Sequence, residues 1–226
     1  MDYERWKNFY RAISIDLELS EHLDVESARL LDGILENRDV DSIIERLRIL
    51  IKGKDVTVFG AGPSLKRTLR KYRSLISGTT KVSADGATTA LLEEGILPDV
   101  VVTDLDGRIE DLLEADGRGT IVVLHAHGDN AEMIRDYGGR FRNLIGTTQT
   151  NPRLFKNLYN FGGFTDGDRA VFLADHFGAR RIYLIGFDFD GRIGRYSMSR
   201  NKGLKRKKLR WCKTLLQELD NLSFLR

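Results

Sequence analysis

Apolar positions in the first 50 or so residues recur at helical spacing: Trp6, Phe9, Tyr10 and Ile13, then Val25, Ala28, Leu31 and Leu35, then Ile43, Ile44, Leu47 and Leu50. Asp24, and Asp39 or Asp41, stand where the N-caps of the second and third helices belong. No catalytic constellation accompanies these helices. Packing is therefore their expected role: a small helical subdomain, residues 1–52, over an edge or the mouth of the main domain, or at a homodimer contact. After Gly53 the pattern changes to short apolar runs, each closed by glycine or a polar residue and followed by an amphipathic stretch. The runs are Val56–Phe59, Lys81–Ala84, Asp99–Thr103, Thr120–His125, Asn143–Thr147 and Arg181–Ile185; the stretches between them include 65–76, 87–94, 130–137 and 168–177. Near-continuous β-branched runs alternating with helices predict an α/β fold over residues 53–226, a mostly parallel, doubly wound, Rossmann-like sheet. Ligands of such sheets bind beyond the carboxyl ends of the strands. The residues that close the runs thereby become the site candidates.

Composition narrows the class. With 41% hydrophobic and 31% charged residues the chain reads as a globular protein rather than a disordered one. No apolar run reaches the roughly 18–20 residues of a membrane helix, and the start of the chain lacks the apolar stretch of a signal peptide. Cys212 is the single cysteine, so there is neither a disulfide framework nor a thiolate zinc site, and a reducing cytoplasm is the expected location. The net charge is only +3, but Lys202, Lys205, Arg206, Lys207, Lys208, Arg210 and Lys213 crowd the end of the chain. Such a run suits a polyphosphate or a nucleic acid, while composition alone favours a solvated helix face.

Several clusters carry chemistry. Gly60-Ala61-Gly62-Pro63-Ser64 closes the first strand and opens a helix, as an anion-binding turn does. A dinucleotide fingerprint would place Asp85 on a ribose, but its third glycine falls at Leu65, and Pro63 removes a donor. The turn is read as a phosphate or nucleotide contact. Asp104-Leu105-Asp106-Gly107 follows the third strand, and two carboxylates at i and i+2 can converge where Gly107 permits a turn. Hard oxygens of this kind hold Mg²⁺ while substrate phosphates fill its other positions. The bland alternative, a capped turn, accounts for one aspartate and poorly for two. Asp188-Phe189-Asp190-Gly191-Arg192-Ile193 echoes that pattern after the last strand. His125-Ala126-His127 could ligate a transition metal, but no third nitrogen or sulfur ligand is near, so hydrogen bonding to substrate or phosphate is preferred. Gln149-Thr150-Asn151 and Phe164-Thr165-Asp166-Gly167-Asp168-Arg169 are polar clusters before helices, where Thr165 or Asp166 can also cap.

Taken in order, Ala84–Thr88, Pro98-Asp99 through Gly107, Gln149–Asn151 and Phe164–Asp168 resemble the motifs of thiamine pyrophosphokinase catalytic domains. The departures are Gly107 where those enzymes have serine, and Thr88-Thr89 in place of their asparagine region. The chain is similar over nearly its whole length to the archaeal 6-hydroxymethyl-7,8-dihydropterin pyrophosphokinases, including Phe59–Leu65, His125–Asn130 and Gly186-Phe187-Asp188. A group of bacterial flagellin-modifying glycosyltransferase-like proteins is a more distant resemblance. The fuller resemblance implies a thiamine-pyrophosphokinase-like fold and transfer of a diphosphoryl group from ATP to the hydroxymethyl oxygen of a dihydropterin, releasing AMP, in tetrahydromethanopterin- or folate-type biosynthesis. It implies Mg²⁺ on Asp104 and Asp106, with Asp85 and Asp188 as further ligands or orienting groups. Asp166 or Asp168, with Asp106, would complete the metal site or take the hydroxyl proton. Gly60, Gly62, Ser64, Asp85 and Thr165 would bind the nucleotide. Lys205 and Lys208 would hold its triphosphate, since a cationic run at a helix start opposes the macrodipole and is poorly explained as helix-stabilising. His125, His127, Asn130 and Asn151 are the candidates for contact with the pterin. The alternatives are another hydroxymethyl heterocycle, a nucleotide-sugar transferase, and, behind both, a nucleic-acid-binding module.

Overall fold

The computed structural model describes residues 1–189, 193–197 and 201–226. Three helices come first: α1 (Tyr3–Leu17), α2 (Glu21–Leu35) and α3 (Val40–Ile51). Strands and helices then alternate as β1 (Asp55–Phe59), α4 (Leu65–Lys71), α5 (Arg73–Ser77), β2 (Thr80–Ala84), α6 (Ala87–Glu93), β3 (Val100–Thr103) and α7 (Ile109–Gly117). The chain continues through β4 (Ile121–Ala126), α8 (Ala131–Tyr137), β5 (Leu144–Thr148), β6 (Leu158–Tyr159), α9 (Asp166–His176), β7 (Arg181–Ile185), α10 (Lys202–Leu216) and β8 (Leu222–Phe224).

The eight strands among the described residues join one parallel sheet in the order β6-β5-β4-β3-β2-β1-β7-β8. The chain steps outward from β1 to β6, returns across the sheet through α9, and resumes at β7 on the other side of β1. That reversal makes the gap between the ends of β1 and β7 the topological switch point, where open α/β sheets bind ligands. The apolar runs lack polar alternation because both faces are covered. Val58, Val82, Val100, Val102 and Ile145 point into one core with α3 and α9; Val101, Val122, Leu124 and Leu144 point into the other with α2, α7 and α8.

The leading helices are built into these layers. Ile43, Leu47 and Ile51 of α3 share the first core with the sheet, whereas Ala28, Leu31 and Leu35 of α2 pack in the second. Trp6, Tyr10 and Ile13 of α1 meet Phe164, Phe172 of α9 and Leu215 of α10. Asp39 caps α3 by accepting from Ser42 N at 3.1 Å. The cap of α2 is Ser20 rather than Asp24, whose carboxyl is buried and bonded elsewhere. β6 and β8, of two and three residues, were not predicted; runs that short carry no readable period.

Leu47 is fully buried between α3 and the sheet. Leu47→Ala is predicted to cost about 2–5 kcal/mol in chemical denaturation, the range of a core cavity. A loss no larger than the roughly 0.5 kcal/mol of a surface change would contradict the shared core.

Candidate active site

Asp85 follows β2, Asp104 and Asp106 follow β3, and Asp166 opens α9, so neighbouring elements end on carboxylates at one place. Oxygens of the four lie within 4.8 Å of one another. Asp85 is buried, Asp104 and Asp166 are half-buried, and Asp106 is exposed. Local backbone geometry produces the convergence. Leu105, between Asp104 and Asp106, is buried and adopts a left-handed φ of 67°, strained for a residue with a branched side chain. Its N–H donates to Thr103 Oγ1 at 2.8 Å, and that hydroxyl donates to Asp85 Oδ1 at 3.0 Å. The turn predicted at Gly107 is thus made at Leu105. Gly107 supplies closeness instead, since a Cβ there would fall 2.5 Å from the Asp85 carboxylate.

Polar side chains hold the cluster from behind. Asn130 donates to the carbonyls of Asp104 (2.9 Å) and His125 (2.7 Å) and accepts from His127 N (3.0 Å). His127 Nε2 meets Asp104 Oδ2 at 3.2 Å, and Arg169 Nη1 donates to Asp166 Oδ1 at 3.3 Å. Among the described residues, Asp85 Oδ2 is buried with no hydrogen-bond partner. A buried carboxylate oxygen without a donor is costly. Burial first, then Asp106 and the charges of Asp104 and Asp166, push the Asp85 carboxyl well above the usual range. Burial, with the charges of Asp104 and Asp106, likewise raises Asp166 against the pull of Arg169. Burial works the same way on Asp104, but the His127 hydrogen bond and the charges of His127, Arg169 and Lys208 outweigh it and hold that group low. The unpartnered oxygen and the all-oxygen donor set fit a hard divalent cation.

The cluster faces a cavity of about 370 Å³. Gly60, Gly62, Gly86 and Gly186 form one wall, Lys205 and Lys208 of α10 face in from another, and Leu17, Leu19 and Leu23 come from the α1–α2 turn. Gly60 and Gly62 do not present free donors, as an anion-binding turn would. Their N–H groups bond the carbonyls of Ile185 (2.8 Å) and Gly186 (2.9 Å). What they allow is the close approach of two turns at the switch point: Gly186 has φ +74°, and a Cβ on it would strike the Gly60 carbonyl.

Other predicted site residues have structural partners. Ser64 is off the cavity wall, and its N–H and hydroxyl are bonded to Asp188 Oδ2 at 2.9 and 2.8 Å. Asp188 lines the cavity but stands outside the four-carboxylate group; Asp190, the second acid of its echo, lies outside the described residues. Asp168 is fully buried in the capping box of α9, accepting from Phe164 N, Thr165 N and the Thr165 hydroxyl, which leaves it no free face for catalysis. Thr165 lines the cavity with its hydroxyl committed to that box. Of the four proposed pterin contacts only His127 reaches the cavity wall. His125 is buried behind it on Thr147, Asn130 spends its amide on the backbone, and Asn151 caps the turn at Pro152–Leu154. Arg169 closes the polar cluster noted in the sequence but was given no role there; it sits one turn after Asp166 on the same helix face, where i,i+3 spacing brings the two together.

A model described as "6-hydroxymethylpterin diphosphokinase MptE-like" matches residues 28–194. The chain belongs to the MptE-like family. Three relatives named "6-hydroxymethyl-7,8-dihydropterin pyrophosphokinase" match almost end to end. The Pyrococcus furiosus protein is 48% identical over 98% of this chain and 95% of its own length. That of Methanothermobacter thermautotrophicus is 45% identical over 97% and 96%, and that of Methanocaldococcus jannaschii 42% over 98% and 97%. Among solved structures, the MAf glycosyltransferase of Magnetospirillum magneticum is similar at a TM-score of 0.46 and 20% identity, over 72% of this chain and 28% of that one. The stretch matched by the MptE-like model contains all four clustered aspartates and the glycine turns; Asp24, Lys205 and Lys208 lie outside it.

Asp85 and Asp166 have folded-state values above the ordinary carboxylate value of about 4, so the fold prefers them protonated. Their contribution to stability is full below that value and is lost as pH rises through the raised values. A divalent cation held by the cluster would bind the ionised form and oppose the loss. The rise in Tm on adding Mg²⁺ is therefore predicted to grow as pH climbs from 5 to 8; a rise independent of pH would contradict the cluster as its site.

Proposed function

We propose that the protein is a Mg²⁺-dependent diphosphotransferase acting in the cytoplasm, moving the diphosphoryl group of ATP to the hydroxymethyl oxygen of 6-hydroxymethyl-7,8-dihydropterin and releasing AMP. The observation that carries the reading is the convergence of oxygens of Asp85, Asp104, Asp106 and Asp166 within 4.8 Å of one another, with Asp85 Oδ2 lacking a partner among the described residues. Near-full-length relatives named for this activity supply the acceptor. No helix among the described residues is long and apolar enough to cross a membrane.

Diphosphoryl transfer needs positioning and neutralisation of charge more than covalent catalysis. Mg²⁺ bound by Asp85, Asp104, Asp106 and Asp166 would supply Lewis-acid neutralisation of the donor's phosphate oxygens. Lys205 and Lys208, facing the same cavity, are placed to meet the rest of the triphosphate charge. The acceptor hydroxymethyl oxygen attacks the β-phosphorus, the bond from that phosphorus to the α–β bridging oxygen breaks, and AMP leaves with that oxygen. The hydroxyl proton is released to solvent as the products leave, and Arg169, bonded to Asp166 Oδ1, orients that carboxyl toward the cluster.

Incubation with Mg²⁺, ATP and the dihydropterin alcohol is predicted to give AMP and the pterin diphosphate in equal amounts. Asp106→Asn is predicted to lower kcat by about 10²–10³, the scale of a lost electrostatic group. Full activity in that variant would remove Asp106 from the mechanism, and absence of AMP from the wild type would overturn the reaction.

A further inference from the structure

Asp24 is an acidic side chain of α2 with only 3% of its surface exposed, and the reaction described above does not use it. Its carboxylate accepts three hydrogen bonds: Gly128 N to Oδ1 at 2.7 Å, and Gln149 Nε2 (2.7 Å) and the Tyr10 hydroxyl (2.5 Å) to Oδ2. Burial, and then the Asp24 hydrogen bond, push the Tyr10 hydroxyl well up, so it stays a donor. From these partners two branches run to the carboxylate cluster. Gly128 adjoins His127, whose ring meets Asp104. Gln149, also 3% exposed, turns its Oε1 to Arg169 Nη2 at 3.2 Å, and Arg169 in turn holds Asp166. Trp6 of α1 pins the backbone of the second branch through its Nε1 on the Gln149 carbonyl at 2.7 Å.

We propose that Asp24 is a positioning residue for the four-carboxylate centre, fixing Asp104 through Gly128 and His127, and Asp166 through Gln149 and Arg169. The inference rests on the reading of that cluster as a cation site. The chemistry of the branches makes the position demanding. A guanidinium only donates, so Gln149 must offer Arg169 its oxygen, which leaves its NH₂ needing an acceptor, and Asp24 Oδ2 is that acceptor. An asparagine at position 24 keeps the shape but replaces one acceptor oxygen with a donor. Its NH₂ must then face either Gly128 N or the NH₂ of Gln149. The first choice breaks the Asp104 branch. The second forces Gln149 to flip and turn its own NH₂ on Arg169, which breaks the Asp166 branch.

Mn²⁺, a hard-oxygen stand-in for Mg²⁺, is titrated into the full-length wild type, Asp24→Asn and Tyr10→Phe, followed by the electron-spin signal of free Mn²⁺, with far-UV circular dichroism as a check of folding. Asp24→Asn is expected to stay folded and to bind Mn²⁺ about 10–100-fold more weakly, the usual cost of losing a partner that orients a metal ligand. Tyr10→Phe, which leaves both branches intact, is expected to bind Mn²⁺ like the wild type. In turnover, kcat of Asp24→Asn is expected to fall more than KM for ATP rises. Should Asp24→Asn fail to fold, Gln149→Met, which cuts the Asp166 branch alone, is expected to weaken Mn²⁺ binding in the same direction. Unchanged Mn²⁺ affinity in a folded Asp24→Asn or Gln149→Met overturns the positioning role and leaves the cation site standing. A wild type that binds no Mn²⁺ overturns the cation site and, with it, this proposal.

Discussion

Holding four carboxylates within 4.8 Å of one another is the constraint on which the rest of this structure depends. At the effective dielectric of a protein surface, two like charges at that separation repel by roughly 3 kcal/mol. The fold keeps the arrangement by three means. Arg169 and His127 place donors on Asp166 and Asp104. Burial and mutual repulsion raise the proton affinity of Asp85 and Asp166, which favours their uncharged forms. The parallel sheet delivers Asp85, Asp104 and Asp106 at the carboxyl ends of β2 and β3, and the start of α9 brings Asp166 to them.

Backbone geometry does the rest. The left-handed Leu105 costs on the order of 1–3 kcal/mol of strain, and burial of its side chain helps to hold it there. Gly107 lets β3's turn come up against Asp85, and Gly60 and Gly186 let the turns after β1 and β7 touch. Glycines here serve approach between elements more than capture of an anion. In the proposed reaction the phosphate charge would then fall to the cation and to Lys205 and Lys208, on a helix outside the stretch matched by the family model.

Much of this could be read along the chain. Runs such as Val100–Thr103 and Ile121–Ala126 are unalternating because both sheet faces are covered, and the polar residues that end them fall at the site as parallel-sheet topology requires. Asp104 and Asp106 were visible because two acids after a strand are hard to explain as a cap. What stayed hidden depends on contacts distant in sequence. Asp24 looks like an N-cap until the fold brings Gly128 and Gln149 to it, 104 and 125 residues away. Asp168 and Asp166 look alike in sequence, yet helix geometry turns one into the capping box and the other into the cavity. Asn130 and Asn151 looked like ligand contacts because an exposed amide and a backbone-bonded amide read the same in a sequence.

The central claim is that the four aspartates together form one cation site. Crystals grown with Mn²⁺ and a non-hydrolysable ATP analogue, measured at the manganese absorption edge, test it most directly. The account predicts an anomalous peak bounded by oxygens of Asp85, Asp104, Asp106 and Asp166, at the roughly 2.0–2.6 Å of hard-cation ligation. A peak elsewhere in the cavity, or a nucleotide bound with none of these carboxylates against the metal, would contradict it.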